Sequence, residues 1–489
     1  MPRLSRLALA IALAASASGC GWRGDGALQL GLVGDSDAFK AQGVRLSPAG
    51  QTLRAATVEG LVGFDAEGRV VPGLADRWIV TDDGQSYIFR LRDGTWPGGA
   101  RIDAEDVAAS LRRALAALRG SPLGLDLASI DEIRVMTDRV IEVDLQSPLP
   151  DLLTLLAQPE LGLPHARQGG GPMAMQRTPQ GAVLSLIPPG KRGLPAQEDF
   201  ARRARSVIVE VAPAEKAVAR FNDGYIDVLL GGRIDSLPLA GVGGLVRGNV
   251  QIDPVSGLFG LMVENAQGYL GEAANREALA MAIDRDALLG AFNVSGWSGT
   301  TRIVAPETPG DLGTIGERWA GMGIEQRRAA AAERVARWKA AGNPLPVLRI
   351  AIGGGPGSQV VFDRLRADFV AIGLQVQRVD ESAPADLRLI DSVARYGRAT
   401  WFLNQLACAA RRPVCSPAGD ARLDDARAAK DPQQRAALLA EAEAEITAVN
   451  GYIPIARPLR WSLVRSRVTG FAPNPWGWHP LPPLALLPK

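Results

Sequence analysis

Three cysteines and two histidines are the scarcest chemically active residues in this 489-residue chain, and their placement limits what it can do. Cys408 and Cys415 stand seven apart across Arg411-Arg412-Pro413, a spacing that suits a small disulfide loop in a compartment that permits disulfides. A metal reading of the pair lacks ligands, because His165 and His479 lie far away in the sequence. Asp284 and Asp286 are close enough together to suggest acid–base work, but acids flanking a helix more often cap it or pair on its surface. Gly353-Gly354-Gly355-Pro356-Gly357, between a strand pattern and a helix pattern, has the outline of a nucleotide loop. A proline inside it and the lack of an acidic partner in a continuous βαβ unit argue against that, and leave an anion at the helix N-terminus as the chemical option. Gly169-Gly170-Gly171-Pro172 is followed by Met173-Ala174, without the Lys and Ser/Thr of a phosphate cradle, and reads as a turn. No Gly-x-Ser-x-Gly elbow or HExxH is present. The chemistry on offer is binding, with no catalytic residues, no cofactor and no metal.

The N-terminus carries an address. Arg3 and Arg6 precede an apolar run, Leu7 to Ala15, that is too short to span a bilayer and reads as an export signal over residues 1–20. Ser16-Ala17-Ser18-Gly19 then leads to Cys20 and resembles a lipobox, although Ala17 stands where Leu is usual. Cys20 is thus the expected lipidation site, with residues 21–27 as a tether; ordinary cleavage nearby would leave it a free thiol. One acylated end would anchor a soluble body to a membrane face. No later run of 18 apolar residues follows. A net charge of +2 with evenly spread Lys and Arg gives no footprint for nucleic acid. Hydrophobic content of 47% supports large cores, 55 Gly and 34 Pro imply many turns, and the length suggests about three domains.

The elements follow from periodicity. Leu28 to Val33 reads as a first strand, and Thr52 to Leu61 as a helix. After Asp82-Asp83-Gly84, Tyr87, Phe89 and Leu91 alternate with Ile88, Arg90 and Arg92, which predicts a half-buried strand ending at Asp93-Gly94. Asp103 precedes Val107, Leu111, Leu115 and Leu118, the pattern of a capped amphipathic helix. Val140 to Leu145 and Val207 to Val211 read as strands. Glu325 to Ala341 reads as an exposed helix stopping at Gly342, and Asp431-Pro432 as a strong helix start.

Several stretches in register resemble a known family. Glu59-Gly60-Leu61, Pro72 to Trp78, the Asp-Asp-Gly turn, FRLRDG and AEDV are similar to extracellular solute-binding proteins of the oligopeptide- and dipeptide-binding type, family 5, the receptors of ATP-driven importers. Gly169 to Pro172, AEKAVARFNDGYID from Ala214, LFGLMVEN from Leu258, NREALAMAIDRDALL from Asn275 and VTGFAPNPWGWHP from Val468 extend the resemblance to about Pro480. Departures are Gly98-Gly99 where the family has Asp-Gly, and a DSDAFKAQGVRLSPAG stretch that does not match. In the segment around Asp386 to Asn404, Ser392 stands at the family's Trp position, and Arg395 at the Asp that pairs with a peptide's amino group. A guanidinium there favours carboxylate over ammonium; the alternative for Arg395 is a surface or interlobe salt bridge. Tyr396 and Trp401 are candidate aromatic walls or, equally, core.

The resemblance implies an α/β, two-lobed periplasmic-binding-protein fold with an extra small domain in the first lobe. Its divisions would be residues 28–257 for the first lobe, with 58–150 as the small domain, 258–455 for the second lobe, and 456–489 returning to the first. It implies a monomeric, lipid-anchored periplasmic protein that captures a peptide-like solute, an anionic one among the options, and docks on an importer's permease, with Arg395, Tyr396, Trp401 and Ser392 at the ligand. The reading from another class is a structural or interaction lipoprotein with a degenerate cleft.

Overall fold

A computed structural model describes residues 26–40, 43–165, 169–241 and 249–488. The export segment and Cys20 lie outside the described residues. Leu28–Val33 forms the centre of a seven-stranded sheet, parallel to Val207–Ala212 on one side and Val228–Gly232 on the other. Antiparallel strands continue both edges: Gly181–Leu186 and Met173–Thr178 beyond the first neighbour, Trp461–Val464 and Val250–Ile252 beyond the second. Leu28, Leu30 and Leu32 are buried against Leu53 and Ala56 of the Pro48–Thr57 helix. That helix starts four residues before the expected Thr52 and stops at Thr57 instead of running to Leu61. Ser47 accepts a hydrogen bond from the Gly50 amide at 3.2 Å and Pro48 occupies the first turn, so the start signal was Ser-Pro, in the stretch with no family match.

The small domain is a four-stranded antiparallel sheet in the order Ala75–Val80, Ser86–Leu91, Val140–Leu145, Ile130–Thr137. Tyr87, Phe89 and Leu91 point into its core together with Val107, Leu111 and Leu118 of the Ala104–Leu118 helix. Asp103 caps this helix, accepting from the Asp106 amide at 2.8 Å. A short hairpin, Val62–Phe64 with Val70–Pro72, lies between the small domain and the seven-stranded sheet in sequence.

A second sheet of five strands runs Gln375–Val379, Val347–Ala351, Leu387–Val393, Gly257–Val263, Tyr452–Ala456. Helices Ala273–Ala282, Ile324–Ala340 and Pro356–Ala371 bury Leu279, Val335, Leu365 and Phe369 in its core. Asp284 caps the Arg285–Gly290 helix through the Ala287 amide, and Asp431 caps Pro432–Ala448 through the Gln434 amide. Neither Asp284 nor Asp286 is placed for acid–base chemistry by these contacts; the first is a cap. Cys408 and Cys415 are joined in a disulfide with Cα atoms 5.1 Å apart, closing the loop before the Pro417–Ala428 helix.

The chain crosses between the two sheets twice, through residues 253–256 and 457–460. The crossings are tied together, the Asp253 amide donating to the Arg460 carbonyl at 3.0 Å. Asp391, on the second lobe's Leu387–Val393 strand, takes Arg460 at 2.7 Å and Arg233 of the first lobe at 3.2 Å. Burial pushes the Asp391 carboxyl up, but the two guanidiniums outweigh it and hold its pKa below the ordinary value. The five-residue glycine loop at 353–357 serves the same junction. A Cβ on Gly357 would stand 1.9 Å from the Ile234 carbonyl oxygen, and one on Gly355 (φ +104°) 2.5 Å from that of Asp235. These glycines let the Pro356–Ala371 helix press against the first lobe, which accounts for the loop without the anion considered from sequence.

Candidate functional site: the seam between the lobes

Residues 392–404 run from the end of a second-lobe strand into the Ala399–Asn404 helix, and that run faces the first lobe. Arg395 donates from Nη2 to Glu160 Oε1 at 2.8 Å and from Nη1 to Gln158 Oε1 at 3.3 Å, while Gln158 donates back to the Arg395 carbonyl at 3.1 Å. Glu160 is only 3% exposed. Its Oε1 also accepts from Gln51 at 2.9 Å, and its Oε2 has no donor among the described residues. Arg398 pairs with Asp151 a little further along. Of the two roles open to Arg395, the structure supplies the interlobe salt bridge.

Tyr396 donates its hydroxyl to Asp126 Oδ1 at 2.9 Å, and Asn404 donates to the same oxygen at 2.8 Å. Asp126 ends the short Pro122–Asp126 helix of the small domain. Burial pushes its carboxyl up to about 7, against the lowering effect of those two hydrogen bonds and of the Arg395 and Arg427 charges. Tyr396 and Trp401 are both packed in the core, not displayed on a cleft wall. Trp401 meets Phe402 edge to face at 5.1 Å, and its indole N–H has no acceptor among the described residues. Ser392 is half-buried and lines a cavity of about 340 Å³ at the junction with Arg233, Glu381 and Arg388.

The ion pair adjoins a further cavity. Between the Pro48–Thr57 and Ala104–Leu118 helices lies a space of about 360 Å³ lined by Phe39, Leu53, Arg54, Arg113 and Glu160 among others. Counting Arg395, three guanidiniums and one carboxylate stand in or beside it. Sequence reasoning named Arg395 and missed Glu160, Asp126, Arg54 and Arg113. Among the described residues no group of three His, Cys, Asp or Glu is placed to hold a metal ion, and no helix is long and apolar enough to cross a membrane.

Residues 69–185 match the profile of the bacterial extracellular solute-binding proteins, family 5 Middle. The chain is also 25% identical to a probable di/tripeptide-binding protein 5 of Pseudomonas aeruginosa, over 85% of this chain and 87% of that one. It is 23% identical to the periplasmic oligopeptide-binding protein OppA of Escherichia coli, over 89% and 87%. Together these matches support a family 5 solute-binding protein. As such it is a binding protein, not an enzyme. Its two-lobed α/β fold is that of Haemophilus influenzae OppA in complex with the peptide RPPGFSPFR (TM-score 0.79, 18% identity, 95% of this chain and 100% of that one). Against the Escherichia coli murein tripeptide binding protein MppA the TM-score is 0.79 (18% identity, 95% and 99%), and against the unliganded open form of MppA 0.58 (19% identity, 90% and 94%).

Proposed function

We propose that this protein is the exported, lipid-anchored receptor of an ATP-driven importer, and that it captures an acidic or neutral peptide-like solute between its lobes for delivery to a membrane permease. The observation that carries this reading is the seam itself. Arg395–Glu160, Arg398–Asp151 and Tyr396–Asp126 join the two lobes, and Glu160 of the first pair also lines a first-lobe cavity that holds Arg54 and Arg113. A ligand that adds contacts only in the closed form shifts the lobes toward it. A carboxylate is favoured there over an ammonium, because a like charge brought next to Arg54, Arg113 and Arg395 meets repulsion in a poorly screened site.

Calorimetry with tripeptides, their N-acetylated forms and their C-terminal amides tests the substrate class. N-acetylation should leave affinity within about threefold, whereas amidation, or Arg54→Gln in the protein, should lower it at least tenfold, about 1.4 kcal/mol. Binding lost on N-acetylation and kept on amidation would reverse the assignment. For the anchor, Cys20→Ser should move the protein from the membrane fraction to the soluble one; unchanged fractionation would remove it. The second reading, a structural lipoprotein with a degenerate cleft, is favoured by one observation, that Arg395 has a carboxylate partner within the protein itself. It predicts no thermal stabilisation by any peptide in the panel.

A further inference from the structure

The disulfide loop is tied down inside the second lobe at its start and along its course. Cys408 opens the one-turn Cys408–Ala410 helix, and its amide donates to the carboxylate of Asp420, in the first turn of the Pro417–Ala428 helix, at 3.0 and 3.2 Å. Arg411 follows with a left-handed backbone (φ 59°, ψ 43°), its amide donating to the Cys408 carbonyl at 2.8 Å. Arg412 Nε donates to the Gln405 carbonyl at 2.7 Å, and Cys415 closes the loop through its bond to Cys408. A cross-link this local denies the segment its extended conformations. The side chain it leaves exposed is that of Arg411.

Arg411 reaches across to the small domain. Its guanidinium lies over Gly120 (φ +73°), the residue between the Ala104–Leu118 and Pro122–Asp126 helices: a Cβ built there would stand 3.4 Å from Nη2 and 3.7 Å from Cζ. A side chain at position 120 would push the guanidinium off. Ser121, next in the chain, accepts from the Gly124 amide at 3.1 Å as the cap of the Pro122–Asp126 helix, and donates to the Leu118 carbonyl at 2.6 Å. The Cys408–Ala410 turn lies against that helix, and its last residue, Asp126, takes Tyr396 and Asn404. The second lobe therefore grips one short helix of the small domain at both ends, with Arg411 at its start and Tyr396 and Asn404 at its finish.

We propose that the disulfide loop is a latch between the lobes: the Cys408–Cys415 bond holds Arg411 against Gly120, and this contact favours the arrangement in which the lobes are together. Arg411 is a positioning residue that acts through the Pro122–Asp126 helix; it lines neither the Glu160 cavity nor the Ser392 cavity. The latch's bearing on solute capture rests on closure of the lobes around a ligand, whereas the latch itself acts with or without one.

Pulsed electron spin resonance on the full chain tests the latch, with labels at Met136→Cys in the small domain and Val370→Cys in the second lobe, both exposed, in a Cys20→Ser background. Distances are read without ligand and with N-acetyl-trialanine. Arg411→Gly suits the left-handed backbone, and losing an exposed side chain should leave the melting temperature within ~2 °C. It should nonetheless lower the ratio of short-distance to long-distance molecules about threefold in at least one of the two states. Cys408→Ala with Cys415→Ala should do the same, with thermal melts to establish that the second lobe stays folded, and adding Arg411→Gly to that pair should change little further. A wild-type distribution that N-acetyl-trialanine leaves unchanged speaks against closure alone, since the latch is decided by comparing variant with wild type. Arg411→Gly superimposable on wild type in both states overturns the latch. So does a protein without the disulfide in which Arg411→Gly still has its full effect.

Discussion

Glu160 receives two donors, from Gln51 and Arg395, on one oxygen and, among the described residues, none on the other. Removing Arg395 leaves a nearly fully buried carboxylate without the cation that crosses to it from the second lobe. Breaking one side of such a pair is more costly than the pair is worth, because the remaining charge stays desolvated. Arg395→Ala should therefore lower unfolding free energy on the order of 2–3 kcal/mol, below the range for a fully buried pair because Arg395 itself is partly exposed. Adding Glu160→Gln should restore more than half of it. Chemical denaturation of the single and double variants checks this, and equal stability of the two would mean the ion pair is incidental. Arg395 was legible in the sequence because a family motif surrounds it. Glu160 was not: Pro-Glu-Leu carries no periodic or capping signal, and its partner is 235 residues away. Tyr396 and Trp401 were recognisable as aromatic residues at the right place, but residue type alone does not say whether an aromatic faces a cleft or a core.

At the scale of elements, the Pro122–Asp126 helix of the small domain meets the Ala399–Asn404 helix of the second lobe through one buried carboxyl. The groups facing Asp126 are Tyr396, Asn404 and, more distantly, the Arg395 and Arg427 charges; the Cys408–Ala410 turn beside it brings a disulfide, which does not titrate. Its Oδ2 has no hydrogen-bond partner among the described residues, so nothing there stabilises the charged form beyond the two donors on Oδ1. Opening the lobes would return Asp126 toward its ordinary value of 3.8 from about 7. The closed form then binds the extra proton, so its advantage is full below about pH 4, declines as pH rises toward about 7, and changes no further above that. Ligand affinity should fall across this window by up to about tenfold per pH unit, and Asp126→Asn should flatten the profile. A wild-type profile that is already flat, or one that rises with pH, would contradict this. The neighbouring elements were readable from sequence where local rules govern them: Asp103, Asp284 and Asp431 all accept the cap hydrogen bonds that their spacing predicts. The start of the Pro48–Thr57 helix was missed because Ser47-Pro48 lies in a stretch with no family counterpart. The glycines at 355 and 357 were misread because their reason is a contact with Ile234 and Asp235, more than a hundred residues away.

At the scale of the whole molecule, the seven-stranded and five-stranded sheets are joined by two short crossings, with Asp391 binding Arg233 of the first lobe and Arg460 of the return crossing at their junction. LFGLMVEN was singled out in the sequence by its family resemblance; Gly257–Val263 is a strand covered on both faces, with every residue in it buried. How far apart the lobes stand was not visible, since the same sequence must serve both positions and the contacts that distinguish them join residues far apart in the chain. The claim on which the account rests is that a ligand brings the lobes together across the Arg395–Glu160 seam. Pulsed electron spin resonance measures it directly, with spin labels at Met136→Cys in the small domain and Val370→Cys in the second lobe, both exposed, in a Cys20→Ser background that keeps the Cys408–Cys415 disulfide. A peptide that binds by calorimetry should convert a broad distribution of distances into one narrow population, and Arg395→Ala should restore part of the broad one. A single distribution, unchanged by a peptide that demonstrably binds, would contradict capture by closure.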